Sequence, residues 1–278
     1  MRVEEEEEMR RLEEVLGQLH PCSTLLHNCL LLSLGGDGVP REFHVSSGWS
    51  REQVVVVCVD RQAADISQVS VFVHPAAPPG LGQLLGPWVD GRGLARLVQV
   101  AATPATSATL APLLGRREVL RCRCKEFYLG LEQEEEGEEE PGSPWRLAPL
   151  GPEHLAMVLA SWKFAEVGGA GVMGAMVEGL LARASVLGVF ARAGAEPLAW
   201  LALYPDGSLG MLHVREGWRR RGLASRLVRA MAARVRRQWG IASIIQIDDI
   251  DNTVPLALFA KLGFTFSQDF VYSNYVPH

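Results

Sequence analysis

Apolar residues in this chain come in short runs separated by charged or glycine-rich stretches, and the run lengths set the predicted elements. In the first half, a charged segment from about Glu6 to Leu19 predicts an exposed helix. Apolar runs at Leu25–Leu34, Val54–Asp60 and Val69–His74 read as strands. A shorter strand at Ala95–Ala102, a helix at Ser107–Gly115 and a strand at Arg121–Leu131 follow, giving an α/β layer. The second half opens with a strand at Trp145–Ala148, a helix at Glu153–Ala160, a glycine-rich turn at Glu166–Gly174 and a helix at Ala175–Arg183. Strands at Ser185–Ala193 and Pro197–Pro205, a turn at Pro205–Ser208 and a strand at Leu209–Val214 come next. A long helix to about Trp239, a strand at Ser243–Asp248, a helix at Thr253–Gly263 and a terminal strand from Phe264 complete the chain. No internal repeat is visible, and no window approaches the roughly 18 apolar residues of a membrane span, so a soluble protein is expected.

Charge divides the chain. Twelve of its 32 acidic residues lie in two tracts, Glu4–Glu8 and Glu132–Glu140, and the remaining 20 face 27 basic residues. The folded parts are therefore mildly basic although the whole carries −5. The second tract, with its Gly, Pro and Ser residues, has nothing to bury and predicts an exposed linker over 131–144. It separates an N-terminal domain, 1–130, from a C-terminal domain, 145–278. Five cysteines with no CxxC pair fit a reducing compartment, and Cys122 and Cys124 share a strand face without the partners a zinc site needs, so no metal is expected. The N-terminus has neither the apolar core of a signal peptide nor the composition of a conventional import signal, which favours the cytoplasm over mitochondria.

The chemistry concentrates at Arg219, Arg220, Arg221 and Gly222, between the strand ending at Val214 and the helix opening with Leu223, Ala224 and Ser225. The first amides of a helix lack acceptors and its dipole is positive there, so strand, arginine loop and helix form an anion site. The R-x-x-G-x-A pattern of Arg219–Ala224 resembles the acyl-CoA pyrophosphate loop of the GNAT superfamily of N-acetyltransferases. "DNTVPLALFAKLGF", Asp251–Phe264, stands where that superfamily has an Asn followed by a helix ending in Gly-Phe. Asn252 is placed to cap this helix or to bond pantetheine. "WKFAEVGG" (Trp162–Gly169), Glu196–Leu223 and Val15–Trp49 narrow the likeness to the glycine N-acyltransferase family.

The resemblance implies an α/β (α+β) protein: a C-terminal GNAT fold with a mixed, largely antiparallel sheet flanked by helices, and an N-terminal domain of GNAT-like layering. It implies acyl-CoA, acetyl or longer, as co-substrate and the amino group of glycine or another small amino acid as acceptor. A backbone amide within Leu212–Val214 would meet the thioester carbonyl.

Two positions depart from the family. Its glutamate base falls at Ser208, which cannot act as that base, and the tyrosine that protonates the thiolate falls at Phe259. His213, Glu166, Asp206 and water stand as alternative proton acceptors. Trp162 and Trp200 fit core packing, with Trp162 also placed to border an acyl pocket; Arg226, Arg229, Arg234, Arg236 and Arg237 fit a solvated helix face. Two other functions compete with acyl transfer to an amino acid: CoA binding with weak or lost catalysis, and acetylation of protein amines. Basic residues gathered at one loop and helix, without interleaved aromatics, argue against nucleic acid. Acyl chain and oligomeric state are not legible.

Overall fold

Twelve strands join into one mixed sheet in the computed structural model, which describes residues 1–75, 94–132, 142–167, 169, 171–248 and 252–278. The N-terminal strands are β1 (Arg2–Val3), β2 (Arg41–Val45), β3 (Val55–Ala63), β4 (Ile66–Val73), β5 (Leu97–Ala102) and β6 (Arg117–Leu129). The C-terminal strands are β7 (Trp145–Pro149), β8 (Val186–Ala191), β9 (Pro197–Leu203), β10 (Ser208–Val214), β11 (Ser243–Asp248) and β12 (Thr265–Val276). Helices α1 (Glu6–Gln18) and α2 (Thr24–Leu34) follow β1, and α3 (Pro104–Leu110) follows β5. Helices α4 (Leu155–Ser161) and α5 (Val172–Ala182) follow β7, α6 (Leu223–Trp239) follows β10, and α7 (Thr253–Lys261) follows β11.

The spatial order is β1-β2-β3-β4-β5-β12-β6-β11-β10-β9-β8-β7. Adding six to each N-terminal strand number gives its C-terminal counterpart, so the order reads the same from either end. A repeat hidden in the residues is therefore explicit in the topology. The last strand of each half has crossed over: β12 pairs with β5, and β6 pairs with β11, each antiparallel. β6 and β12 then pair with one another from Arg117↔Val276 to Tyr128↔Thr265. Within each half one parallel pair interrupts the antiparallel run, β4 with β5 and β10 with β11.

Local chemistry explains most elements. Thr103 caps α3 by accepting from the Thr106 amide, with Pro104 in the first turn. α6 buries Leu223, Leu227, Val228, Met231 and Val235 on one face, and Gly240 ends it in a left-handed turn that donates to the Arg236 carbonyl. Leu25–Leu34, read above as a strand, belongs instead to α2. Its apolar residues are leucines, good helix formers, and eight of its eleven residues are buried, so no polar face betrays the helical period. β2 was not foreseen.

α2 also ties the halves together. Asn28 donates to the Ala242 carbonyl at 2.8 Å, and Leu32 joins the core formed by α6 and β8–β11. Most of the acidic tract, residues 133–141, and part of the Glu166–Gly174 turn lie outside the described residues. No helix among the described residues is long and apolar enough to cross a membrane.

Candidate functional site

β10 and β11 are in register at only two positions, Ser208↔Ile244 and Leu209↔Ile245, and then part. The cause lies in β10. Its register against β9 shifts between Gly210 and His213, and Met211 holds φ at +52°, a left-handed conformation that a long side chain adopts at a cost. The Tyr204 ring fills the space beside Gly210, so a Cβ there would fall 2.1 Å from ring carbon. The parting leaves strand edges without their usual partners and opens a cavity of about 380 Å³.

At one end stands the arginine loop. Trp218 sets its position by meeting Trp145 edge to face at 5.4 Å, and the Arg221 guanidinium lies 4.8 Å over the Trp218 ring. Arg219 donates from Nε to the Val214 carbonyl. Arg220 and Gly222 take φ of +65° and +77°, the kind of alternation that turns amides toward one concave side. A Cβ on Gly222 would meet nothing, so glycine is required there by backbone conformation and not by space. Arg219, Arg220, Arg221 and Gly222 are exposed, Leu223 is buried, and Ala224 and Ser225 are half-buried.

The cavity wall is built by both halves. β10 contributes Leu212 and His213, while β3, β4 and β5 contribute Gln62, Gln68 and Gln99. Cys122 and Cys124 from β6 and Tyr272 and Asn274 from β12 line the crossed-over strands. His213 is half-buried, with its ring stacked 4.5 Å from that of buried Trp200. Burial, then Arg219 and Arg215, hold its pKa below the ordinary histidine value, so it is neutral and able to accept a proton near pH 7.

Asp206 sits at the base of the cavity, 1% exposed. Oδ1 accepts from the Ser208 amide (2.9 Å) and hydroxyl (2.6 Å). Oδ2 accepts from Gln68 Nε2 (2.7 Å) and the Tyr272 hydroxyl (2.9 Å). Four bonds fill the lone-pair capacity of a carboxylate, so Asp206 is a hub joining the halves and has no vacancy for a substrate proton. Ser208 is likewise 1% exposed; its hydroxyl is committed to Asp206 and it does not line the cavity.

The other sequence-selected residues separate. Val214 lies at the loop end of β10 without lining the cavity. Asn252 is exposed at the start of α7, and its side chain makes no capping bond. Phe259 is 1% exposed and packs edge to face on Phe264 at 5.1 Å, inside the core and away from the cavity. Trp162 lines the cavity, whereas Trp200 is core. Glu166 is exposed on an adjoining hollow. Sequence reading missed the contribution of the N-terminal half, whose signal was single glutamines placed inside largely apolar strands, Gln62 in β3, Gln68 in β4 and Gln99 in β5.

Three buried groups near the junction are strongly perturbed. Burial pushes Asp60 up to about 8, against the pull of Arg41. Burial pushes Glu126 up to about 7 although Gln268, Gln246 and Ser267 bond it, and pushes Cys124 up to about 12.

Comparison with known proteins agrees with this architecture. Residues 186–272 match the model of the FR47-like protein family. A comparison with curated proteins finds no match. A Drosophila protein of known structure superposes with a TM-score of 0.72 at 19% identity, covering 99% of this chain and 97% of its own. A candidate acetyltransferase from Pyrococcus horikoshii gives 0.55 at 11% identity, covering 100% and 89%. A tandem GNAT protein from the clavulanic acid biosynthesis pathway gives 0.46 at 15%, covering 99% and 97%. The chain has a mixed α/β fold, shared over nearly its whole length with the Drosophila protein, and one strand plan is present in both of its halves.

Proposed function

We propose that the protein is an acyl-CoA-dependent N-acyltransferase whose C-terminal half binds the acyl donor. The observation that carries this reading is the parting of β10 from β11 beside the arginine loop. The Arg219–Gly222 loop and the amides of Leu223, Ala224 and Ser225 hold the diphosphate. The freed edge of β10 takes the pantetheine arm, and an amide within Leu212–Val214 polarises the thioester carbonyl.

His213 accepts the proton lost by the attacking amine. The new N–C bond forms as an oxyanion develops on the carbonyl; collapse breaks the C–S bond, and the imidazolium can return its proton to the departing thiolate. Asp206 acts at one remove by fixing Tyr272 and Gln68. The acceptor is a small molecule that presents a primary amine beside a carboxylate-bearing chain, the class to which the resemblance to glycine N-acyltransferases points. A cavity walled by strands of both halves favours a small acceptor over a lysine on a folded protein. Thiol release measured across acyl-CoAs and amino acids tests the reading. No release with any pair, in a protein that binds CoA, would reduce it to CoA binding.

A further inference from the structure

The cavity of His213 and Asp206 does not end at the parted strands. A second hollow of about 720 Å³ adjoins it, the two sharing Leu120, Lys163 and Val167 in their walls. A row of β12 side chains spans the two: Tyr272 and Asn274 line the first, and Val276 lines the second. Arg117, in register with Val276, and Arg96 flank the far end. The hollow's other charged groups are Lys163, ion-paired with Asp248, and the single carboxylate Glu166. Among the described residues neither Arg96 nor Arg117 is in an ion pair, so the far end is cationic.

Between the two ends stands Asn274. It is 3% exposed, and its amide oxygen has no hydrogen-bond partner among the described residues although it belongs to a cavity-lining residue. A buried acceptor left this way is costly and is relieved by a ligand N–H. The ends are also far apart. Cys122, in register with Tyr272, lies five positions along β6 from Arg117, about 16 Å of strand, of which an extended tripeptide covers about 10 Å and the long arginine side chain can cover the rest. Glycine, with one carbon between amine and carboxylate, cannot bridge them.

We infer that the acceptor carries a carboxylate many bonds from its reacting amine, at the spacing of a short peptide, with the carboxylate held between Arg96 and Arg117. The inference rests on the acyltransferase reading for the position of the amine. Asn274 accepts an N–H from the middle of the acceptor.

Glycine, diglycine, triglycine and triglycine amide form a ruler for the site. Binding to the full chain with CoA present is read by calorimetry, and turnover with acetyl-CoA by thiol release. Triglycine should bind about tenfold or more tighter than glycine, and amidation should cost a similar factor, as loss of a charge-assisted pair does. The double substitution R96E/R117E should abolish the preference for triglycine over its amide. Equal affinity for glycine and triglycine, no binding of any of the four, or a preference that survives R96E/R117E would overturn the inference. A change in KM for acyl-CoA without one for triglycine would place the acyl group in the hollow and overturn it as well. Triglycine binding that depends on both arginines, without thiol release, would support the anion site and count against the transferase reading.

Discussion

The two halves share a strand plan and differ at one joint. In the N-terminal half the parallel pair stays closed: β4 and β5 are in register at five successive positions, Ile66↔Leu97 to Ser70↔Ala101. Valines on one face of this pair, Val69, Val71, Val98 and Val100, pack under α3 in a continuous core. In the C-terminal half the matching pair loses register after two positions, because β10 carries the Gly210–Met211 irregularity that β4 lacks. The same strand plan thus occurs once closed and once open. The closed copy is not idle, since its Gln62, Gln68 and Gln99 wall the cavity that the open copy creates.

If only the open copy binds the acyl donor, calorimetry should give one CoA per chain, and Gly222→Glu should weaken binding by about a hundredfold or more through forced strain and added negative charge. A second CoA in the wild type, or full affinity in folded G222E, would break the distinction between the halves. His213→Ala should lower the acyl-transfer rate by about 10²-fold while leaving the protein folded, the range typical of a lost general base. Because the histidine pKa is depressed, the wild-type rate should climb with pH below the ordinary histidine value and be level at neutrality. H213A should instead keep rising with pH as free amine increases.

Restoring glutamate at position 208 tests the hub. Ser208 is buried against Asp206, so Ser208→Glu should place a second carboxylate beside a filled one, destabilising the fold by about 2–4 kcal/mol in urea titrations without raising the rate. A faster enzyme would show that this side chain can turn into the cavity. The smallest effects belong to the junction carboxylates. Folding raises Asp60 and Glu126 above their ordinary values, so their contribution is complete in acid and is lost as pH rises toward 7 for Glu126 and 8 for Asp60. Asp60→Asn should therefore flatten the fall in Tm between about pH 5 and pH 8 by a few degrees. An unchanged slope would mean Asp60 is solvated.

The loop and helix of the open copy were legible because their signals are local. Arginine loop, Gly222 and amphipathic α6 lie within a single stretch, Arg219–Trp239, and spacing alone fixes the polarity of the helix. The closed copy was legible in part as strands and helices: α2 was misread for want of a polar face, and the short edge strands β1 and β2 were not foreseen. What escaped was everything set by distant pairing. The equivalence of the halves survives in strand order and not in residues, and the roles of Gln68, Tyr272 and Asn274 exist only once β12 lies beside β5 and β6. Asp206 reads as a turn former in "YPDGS", and its four partners come from residues as far apart as Gln68 and Tyr272.

The crossed strands bear on how the chain is made. β6 ends at Leu129, but the strand that belongs between it and β5 begins at Thr265, which is synthesised long after it. At about 5–20 residues per second, the first half waits on the order of ten seconds or more with β5 and β6 unpaired at the place where the sheet will close. Open strand edges held that long invite pairing with other nascent chains. Completion is therefore a single late event in the centre of the sheet, and a chain truncated before Thr265 would leave both halves unfinished.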